Sequence, residues 1–428
     1  MNYSEAIAYI NDKDKFGSRL GLDSIGKLLE FLGNPQDGLE IIHVAGTNGK
    51  GSTSSYISNC LIEAGYDVGL FTSPYLERFN ERIQVNGVDI PDEDLGRITS
   101  LIKIAADKML DEGWEHPTTF EIVTALAFAY YAEKAPDYVV LEVGLGGRFD
   151  STNIIKTSLA SVITTIDFDH INELGDTLGK IAYQKAGIIK ENGLVISYPQ
   201  KEEAKDVIKE VIRDKQAEIH ISPDVDIVEE SSSGSVFNYE YGDERLENLK
   251  ISMLGHYQNY NAALAVTTLL VLREKGKINI ENRHIYSGLK KTKWNGRLEL
   301  LRVNPGFLID GAHNMQGIRN LARALKLFNY RKLILGIAIL KDKDVDHMVE
   351  ELAGMADMIV VTEANIPRKM EANELAERIS KYNKNIYIEK DIKKAVEKSL
   401  ELAEKDDLII FGGSLYLIGD VRTIAKLL

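Results

Sequence analysis

Residues 39–52 read LEIIHVAGTNGKGS, from Leu39 to Ser52. Leu39–Ala45 is a short apolar run with β-branched residues, which predicts a buried strand. Gly46-Thr47-Asn48-Gly49-Lys50-Gly51 predicts a loop. From Ser52 to Ala64 the apolar residues recur at helical spacing. Strand, glycine loop and helix in that order form the phosphate-binding arrangement, in which backbone N–H groups and a helix N-terminus face an anion. Lys50 adds a positive charge for the outer phosphates, and Ser52 a hydroxyl suited to magnesium. The strict pattern G-x-x-x-x-G-K-[ST] fails twice. Position 44 is Val, and Gly51 stands where the hydroxyl belongs, one place before Ser52.

The same logic repeats downstream. Tyr138–Val143 predicts a second buried strand ending on Gly144, and Leu159–Ile166 a third ending on Asp167-Phe168-Asp169-His170. In open α/β sheets the ligand crevice lies at the carboxyl ends of the strands, so all three deliver polar residues to one edge. A further helix–strand alternation begins at Ile188–Tyr198. The polar stretch Glu229–Ser235 predicts a turn between two short strands, and Asn259–Lys275 a helix. Past Trp294-Asn295-Gly296-Arg297 the pattern restarts. Strands at Gly306–Ile309, Lys332–Ile337, Met358–Val361 and Leu408–Phe411 alternate with helices near Ile318–Leu327, Asp346–Met355, Ala372–Lys381 and Lys393–Glu404. The fold class predicted is α/β. An N-terminal domain (residues 1–296) carries the phosphate loop on a mostly parallel sheet. A smaller Rossmann-like α/β domain (residues 297–428) follows.

Length supports two domains, since 428 residues exceed the ~250–300 that one hydrophobic core serves. The 44% hydrophobic and 27% charged residues are those of a globular chain. A net charge of −14 without a basic stripe argues against general binding of nucleic acid or anionic lipid. Cys60 is the single cysteine, so no intramolecular disulfide forms, and a reducing compartment fits. The N-terminus lacks the basic start and apolar core of a signal peptide. No apolar stretch reaches the ~20 residues that span a bilayer. The expectation is a cytoplasmic protein without membrane association.

Long ordered motifs extend over nearly the whole chain. They are Arg19-Leu20-Gly21-Leu22-Asp23-Ser24-Ile25, Gly46–Ser52, Thr72-Ser73-Pro74-Tyr75-Leu76 with Glu81-Arg82-Ile83, and Thr119-Phe120-Glu121. Glu142–Asn153 follows, then Asp169-His170, Leu174-Gly175-Asp176-Thr177 and Gln184-Lys185-Ala186-Gly187-Ile188. Asn261-Ala262-Ala263, Gly296-Arg297-Leu298-Glu299, Asp310–Asn314 and Gly413–Gly419 complete the set. This set resembles the Mur ligase superfamily, and most closely its folylpolyglutamate synthases and dihydrofolate synthases.

The resemblance implies an ATP-dependent carboxylate–amine ligase of folate biosynthesis and one-carbon metabolism. Its substrates would be ATP, L-glutamate, and a folate or dihydropteroate. A carboxylate is a poor acyl donor, so the γ-phosphoryl of ATP would first make an acyl phosphate, which the glutamate amine then attacks. The resemblance places ATP on Asn48, Gly49, Lys50, Gly51, Ser52, Asn261, Arg297 and Asp310. It places Mg2+, or Mn2+ given an imidazole ligand, on Ser52, Ser73, Glu142 and His170. The folate or pteroate would meet Leu22, Asp23, Ser24, Thr119, Phe120, Glu121, Phe149, Asp150 and Ser151. Lys50, Lys185 and His313 would be catalytic, Lys185 as a carbamate made from carbon dioxide. Read alone, Lys185 is a surface lysine and Phe120 a core residue. Both glutamylation of a reduced folate and dihydrofolate synthesis are expected, with polyglutamylation alone as the alternative. Ser151 departs from the Ala common in dual enzymes, and Asn295 and Met315 from the usual prolines. A peptidoglycan Mur ligase is disfavoured, because its UDP-binding domain would precede the loop. A nucleotide-binding regulator would not need Lys50, Glu142, His170, Lys185 and Asp310 together. A monomer is expected.

Overall fold

The computed structural model describes residues 1–17 and 21–428. Arg19 and Leu20 of the first motif lie outside the described residues. The chain divides into two compact units. The first comprises residues 1–225, 239–246 and 260–292; the second comprises 226–238, 247–259 and 293–428.

The first unit is built on an eight-stranded sheet. Its strands are β1 (Ile41–Ala45), β2 (Val68–Phe71), β3 (Ile83–Val85), β4 (Val88–Asp89), β5 (Tyr138–Glu142), β6 (Ala160–Ile163), β7 (Leu194–Ser197) and β8 (Glu218–Ile221). Their spatial order is β4-β3-β2-β5-β1-β6-β7-β8. β1 runs parallel to both β5 and β6, and only the β2–β3–β4 edge is antiparallel. β1 is buried along its whole length, which is why it reads as an apolar run, interrupted only by His43, rather than an alternation. The Thr119–Lys134 helix is buried nearly all round, and its one-letter string TFEIVTALAFAYYAEK has no polar face. It closes the main core with Ile25, Leu28, Phe71, Ile98 and Ile102.

The strands β9 (Asp226–Ser231), β10 (Gly234–Tyr241) and β11 (Glu244–Ile251) form a separate three-stranded sheet, and their residues are divided between the two units. The expected turn between short strands falls at residues 232–233.

The second unit carries β12 (Glu299–Arg302), β13 (Gly306–Ile309), β14 (Leu333–Ile337), β15 (Met358–Val361), β16 (Ile386–Ile388) and β17 (Leu408–Gly412), in the order β12-β13-β17-β14-β15-β16. Five strands are parallel, and β12 pairs antiparallel with β13. The helices between them are amphipathic and bury Leu321, Leu325, Met348, Leu352, Leu375 and Ile379 against the sheet. β12 and β16 are additions to the sequence reading. The first begins on the last residue of the Gly296–Glu299 motif, before the first strand expected in this domain, and the second is three residues long.

A charged cluster closes the carboxyl edge beside β15. Glu363 accepts from the Ala372 N–H at 3.0 Å and pairs with Lys369 and with Lys390, the latter at 3.3 Å. Burial works to raise this carboxyl, but the two lysines and the N–H outweigh it and hold it at about 2. A carboxylate depressed in the fold contributes stability above its unfolded value, and that contribution is lost as pH falls toward 2. Glu363→Gln is expected to cost about 1 kcal/mol at pH 7 and almost nothing near pH 2, read by urea melts at both pH values.

Candidate active site

The helix after β1 spans Lys50–Glu63, two residues earlier than the apolar spacing indicates. Gly49 is its N-cap, in the left-handed region at φ 86°. The N–H groups of Lys50, Gly51 and Ser52 therefore belong to the first turn, where a helix has no internal acceptors for them. Gly49 is also a point of close approach. A Cβ there would lie 2.4 Å from Asn261 Oδ1, so the Asn261 side chain rests on the loop.

The loop is tied to the strand end of β6. Thr47 N–H donates to the Thr165 carbonyl at 2.7 Å, and Thr47 Oγ1 donates to the Asp167 carbonyl at 2.9 Å. Thr164 Oγ1 donates to the Asn48 carbonyl at 2.7 Å. Gly46 sits at φ 154°, and a Cβ on it would fall 1.8 Å from Thr164 Oγ1.

Two lysines converge on the Gly46 carbonyl. Lys50 Nζ donates to it at 3.1 Å and to the Thr47 carbonyl at 3.2 Å. Lys185 Nζ donates to it at 2.8 Å. Lys185 comes from the helix Leu178–Ala186 and is 4% exposed. Its burial overturns the plain expectation of a surface lysine, and the cause is the packing of its helix against the loop region. Burial, with Lys50 adding repulsion against the opposing pull of Asp169 and Asp150, brings its amine down to about 7.

Glu142 ends β5 and is 4% exposed. It pairs in register with Val44, two residues before Gly46, so its carboxylate stands at the carboxyl edge beside the loop. Ser73 N–H lies 3.3 Å from Glu142 Oε2. His170 is half-exposed at φ 50° and lies 3.9 Å from Asp169 and 4.0 Å from Glu173. Among the described residues no three His, Cys, Asp or Glu side chains cluster as a metal cage. The Glu142 carboxylate and the buried Ser52 hydroxyl are hard oxygen donors. They suit an ion that completes its shell with water and phosphate oxygens, as magnesium does.

The residues expected around the folate divide into two groups. Thr119, Phe120 and Glu121 form the first turn of the Thr119–Lys134 helix. The Glu121 carboxylate accepts from the Thr118 N–H at 2.7 Å in a capping box. The Phe120 ring covers Gly144 so closely that a Cβ there would lie 2.4 Å from its edge. Leu22, Asp23 and Ser24 open the helix Asp23–Phe31, and Ser24 is buried. In the loop after β5, Phe149 is 42% exposed, whereas Asp150 and Ser151 are buried. Asp150 turns inward. It accepts from Leu145 N–H at 2.8 Å, from Thr152 N–H at 3.0 Å and from Thr152 Oγ1 at 2.5 Å. Sequence reasoning gave no role to Thr152, although it lies in the Glu142–Asn153 motif, or to His43; the two meet at 2.9 Å.

Arg297, Asp310 and His313 come together within the second unit. Asp310 accepts from Leu298 N–H and Ala312 N–H, both at 2.8 Å. Burial raises its carboxyl, against the opposing pull of Arg297. Arg297 lies along Gly311, and His313 Nδ1 is 2.8 Å from the Gly311 carbonyl.

A phosphate loop on one parallel sheet, followed by a smaller α/β unit, is the plan of the Mur ligases. Residues 44–269 match the Mur ligase middle domain, and residues 296–415 the Mur ligase glutamate ligase domain. The chain is 37% identical over 435 residues to the dihydrofolate synthase/folylpolyglutamate synthase of Bacillus subtilis, covering 99% of each. It superposes on the crystal structure of folylpolyglutamate synthase from Thermotoga maritima with TM-score 0.86 at 35% identity, covering 99% of this chain and 96% of that one. A solved FPGS–AMPPCP–folate complex matches with TM-score 0.82 at 32% identity over 100% of both chains. The chain belongs to the dihydrofolate synthase/folylpolyglutamate synthase family.

Proposed function

We propose that this protein joins L-glutamate to a folate-type carboxylate at the expense of ATP. The observation that carries the reading is the convergence of Lys50 and Lys185 on the Gly46 carbonyl, at a helix N-terminus and beside the Glu142 strand end. The first-turn N–H groups and Lys50 bind the ATP phosphates, with Asn48, Gly49, Gly51 and Ser52 forming the cradle. Asn261, Arg297 and Asp310 make further nucleotide contacts, Arg297 with phosphate and Asp310 with ribose hydroxyls.

Glu142 and Ser52, with Ser73 and His170, would hold magnesium, which would supply positive charge to the phosphate oxygens. Lys185 serves as a carbamate. The neutral amine adds carbon dioxide and loses a proton, which converts a buried amine into an anionic oxygen donor. Its amine at about 7 leaves a large neutral fraction for that addition. The folate carboxylate oxygen takes the γ-phosphoryl group and ADP leaves. The glutamate amine then attacks the acyl carbon, and phosphate departs from the tetrahedral intermediate. His313 stands by the incoming amine. Leu22, Asp23, Ser24, Thr119, Phe120, Phe149 and Ser151 line the pteroate side, shaped by Glu121 and Asp150.

Dihydropteroate and reduced folates are both acceptors in this reading, which places a monomer in the cytoplasm. Among the described residues no helix is long and apolar enough to cross a membrane. Phosphate release is the test. Purified protein with ATP and Mg2+ is expected to release phosphate only when glutamate and an acceptor, dihydropteroate or tetrahydrofolate, are both present. Release that is unchanged when either is left out would sink the ligase reading.

A further inference from the structure

We propose that His43 is a positioning residue for the reaction, acting through Thr152 and Asp150 on the segment that seats Lys185. His43 lies in the middle of β1 and is fully buried. Its Nε2 is 2.9 Å from Thr152 Oγ1, which donates its only hydroxyl proton to Asp150 Oδ1 at 2.5 Å. With that proton committed, Thr152 accepts from the ring, so His43 carries its proton on Nε2. Nδ1 is the bare nitrogen, and it has no hydrogen-bond partner among the described residues. Burial, with Lys190 nearby, holds the imidazole well below the usual histidine range, so it is a neutral donor.

The chain of bonds ends on the loop that packs against Lys185. Asp150 gathers the Leu145 and Thr152 N–H groups and sets the curve of residues 145–152. From that loop Arg148 N–H donates to the Gln184 carbonyl at 2.7 Å. A Cβ on Gly147 would lie 2.9 Å from both the Gln184 and Lys185 carbonyls. Asn153 Nδ2 donates to the Arg148 and Gly187 carbonyls at 3.1 and 3.0 Å, and half-buried Lys190 donates to Asn153 Oδ1 at 2.8 Å. The C-terminal end of the Lys185 helix is therefore held by hydrogen bonds at Gln184 and Gly187, with Gly147 packed close against the carbonyls of Gln184 and Lys185. β1 fixes Gly46, and the relay fixes the helix end whose lysine reaches Gly46 O. His43 is common to both, so it sets the distance between Lys185 and the phosphate loop. A displacement of this kind on the order of 1 Å can cost about 100-fold in rate.

The inference rests on the role assigned to Lys185, and the test separates the two. Steady-state kinetics and thermal melts would be run on Thr152→Val, Thr152→Ser, His43→Leu, His43→Gln and Lys185→Ala. Thr152→Val keeps the shape and removes both side-chain bonds. It is expected to lower kcat about tenfold or more with KM for ATP within about twofold. Thr152→Ser and His43→Gln, which keep the hydroxyl and the donor, should hold at least about half of the activity. His43→Leu should fall between the extremes, since the Thr152–Asp150 bond survives it. Thr152→Val at wild-type kcat, or Thr152→Ser as slow as Thr152→Val, would overturn the relay while leaving the Lys185 assignment standing. A fully active Lys185→Ala would remove the parent reading and the relay with it. Should Thr152→Val not fold, the His43→Leu against His43→Gln contrast decides in the same terms.

Discussion

Lys185→Ala is expected to lower kcat by about 100-fold or more, with partial recovery on adding a small carboxylate such as formate or acetate. The lysine is 4% exposed and its amine sits against a carbonyl, not a carboxylate. As an ammonium group it would be poorly compensated there, and that is why its amine is lowered to about 7 from 10.5. The linkage has a definite sign. Between about pH 7 and 10.5 the unfolded lysine holds a proton that the folded one has lost, so stability rises with pH over that window. Lys185→Met removes this penalty and should raise the neutral-pH Tm of the protein assayed free of bicarbonate. It should also flatten the slope of stability against pH. Loss of activity together with a gain of stability separates a chemical role from a packing role. Full activity in Lys185→Ala, or a lower Tm in Lys185→Met, would contradict the assignment.

Gly46→Ala is expected to reduce kcat/KM for ATP by about 100-fold and to cost ~1–3 kcal/mol of stability. The added methyl meets the Thr164 hydroxyl oxygen at 1.8 Å, its β-carbon at 2.9 Å and its α-carbon at 3.2 Å. Thr164 has little room to yield. Its side chain is stiff at χ1 and holds the Asn48 carbonyl, and its N–H is bound to the Ala45 carbonyl at 2.8 Å. The strain therefore passes into the loop, where it displaces the carbonyl shared by Lys50 and Lys185. Adding Thr164→Gly removes the two nearest atoms and should return part of the lost stability, a coupling measurable as a double-mutant cycle. Wild-type kinetics in Gly46→Ala would mean that residues 46 and 164 do not meet in this way.

Much of the fold was legible because parallel strands are buried on both faces. Ile41–Ala45, Gly306–Ile309 and Met358–Val361 stand out as apolar runs. β12 was not legible. Its first residue, Glu299, is held by Arg422, 123 positions later, and by the Gly296 N–H, and no local pattern encodes that pairing. At the site, the loop, Glu142 and Lys185 could be named from motifs. What the side chains do could not. Lys185 reads as solvent-exposed until its helix is packed, and Asp150 reads as a ligand-facing carboxylate until its oxygens are seen to serve its own loop. His43 carried no signal at all, since a histidine within an apolar strand says nothing about a threonine 109 positions away.

The carbonyl of Gly46 receives both lysines, and no codon specifies it. Every amino acid brings the same oxygen, so substitution at this position cannot remove the acceptor; it can only move it. Selection can reach it only through what surrounds it: the missing side chain at residue 46, the hydroxyl at 164, the two amines that point at it. Any descendant of this sequence that acquires a side chain at 46 must therefore have found room for it at 164 as well.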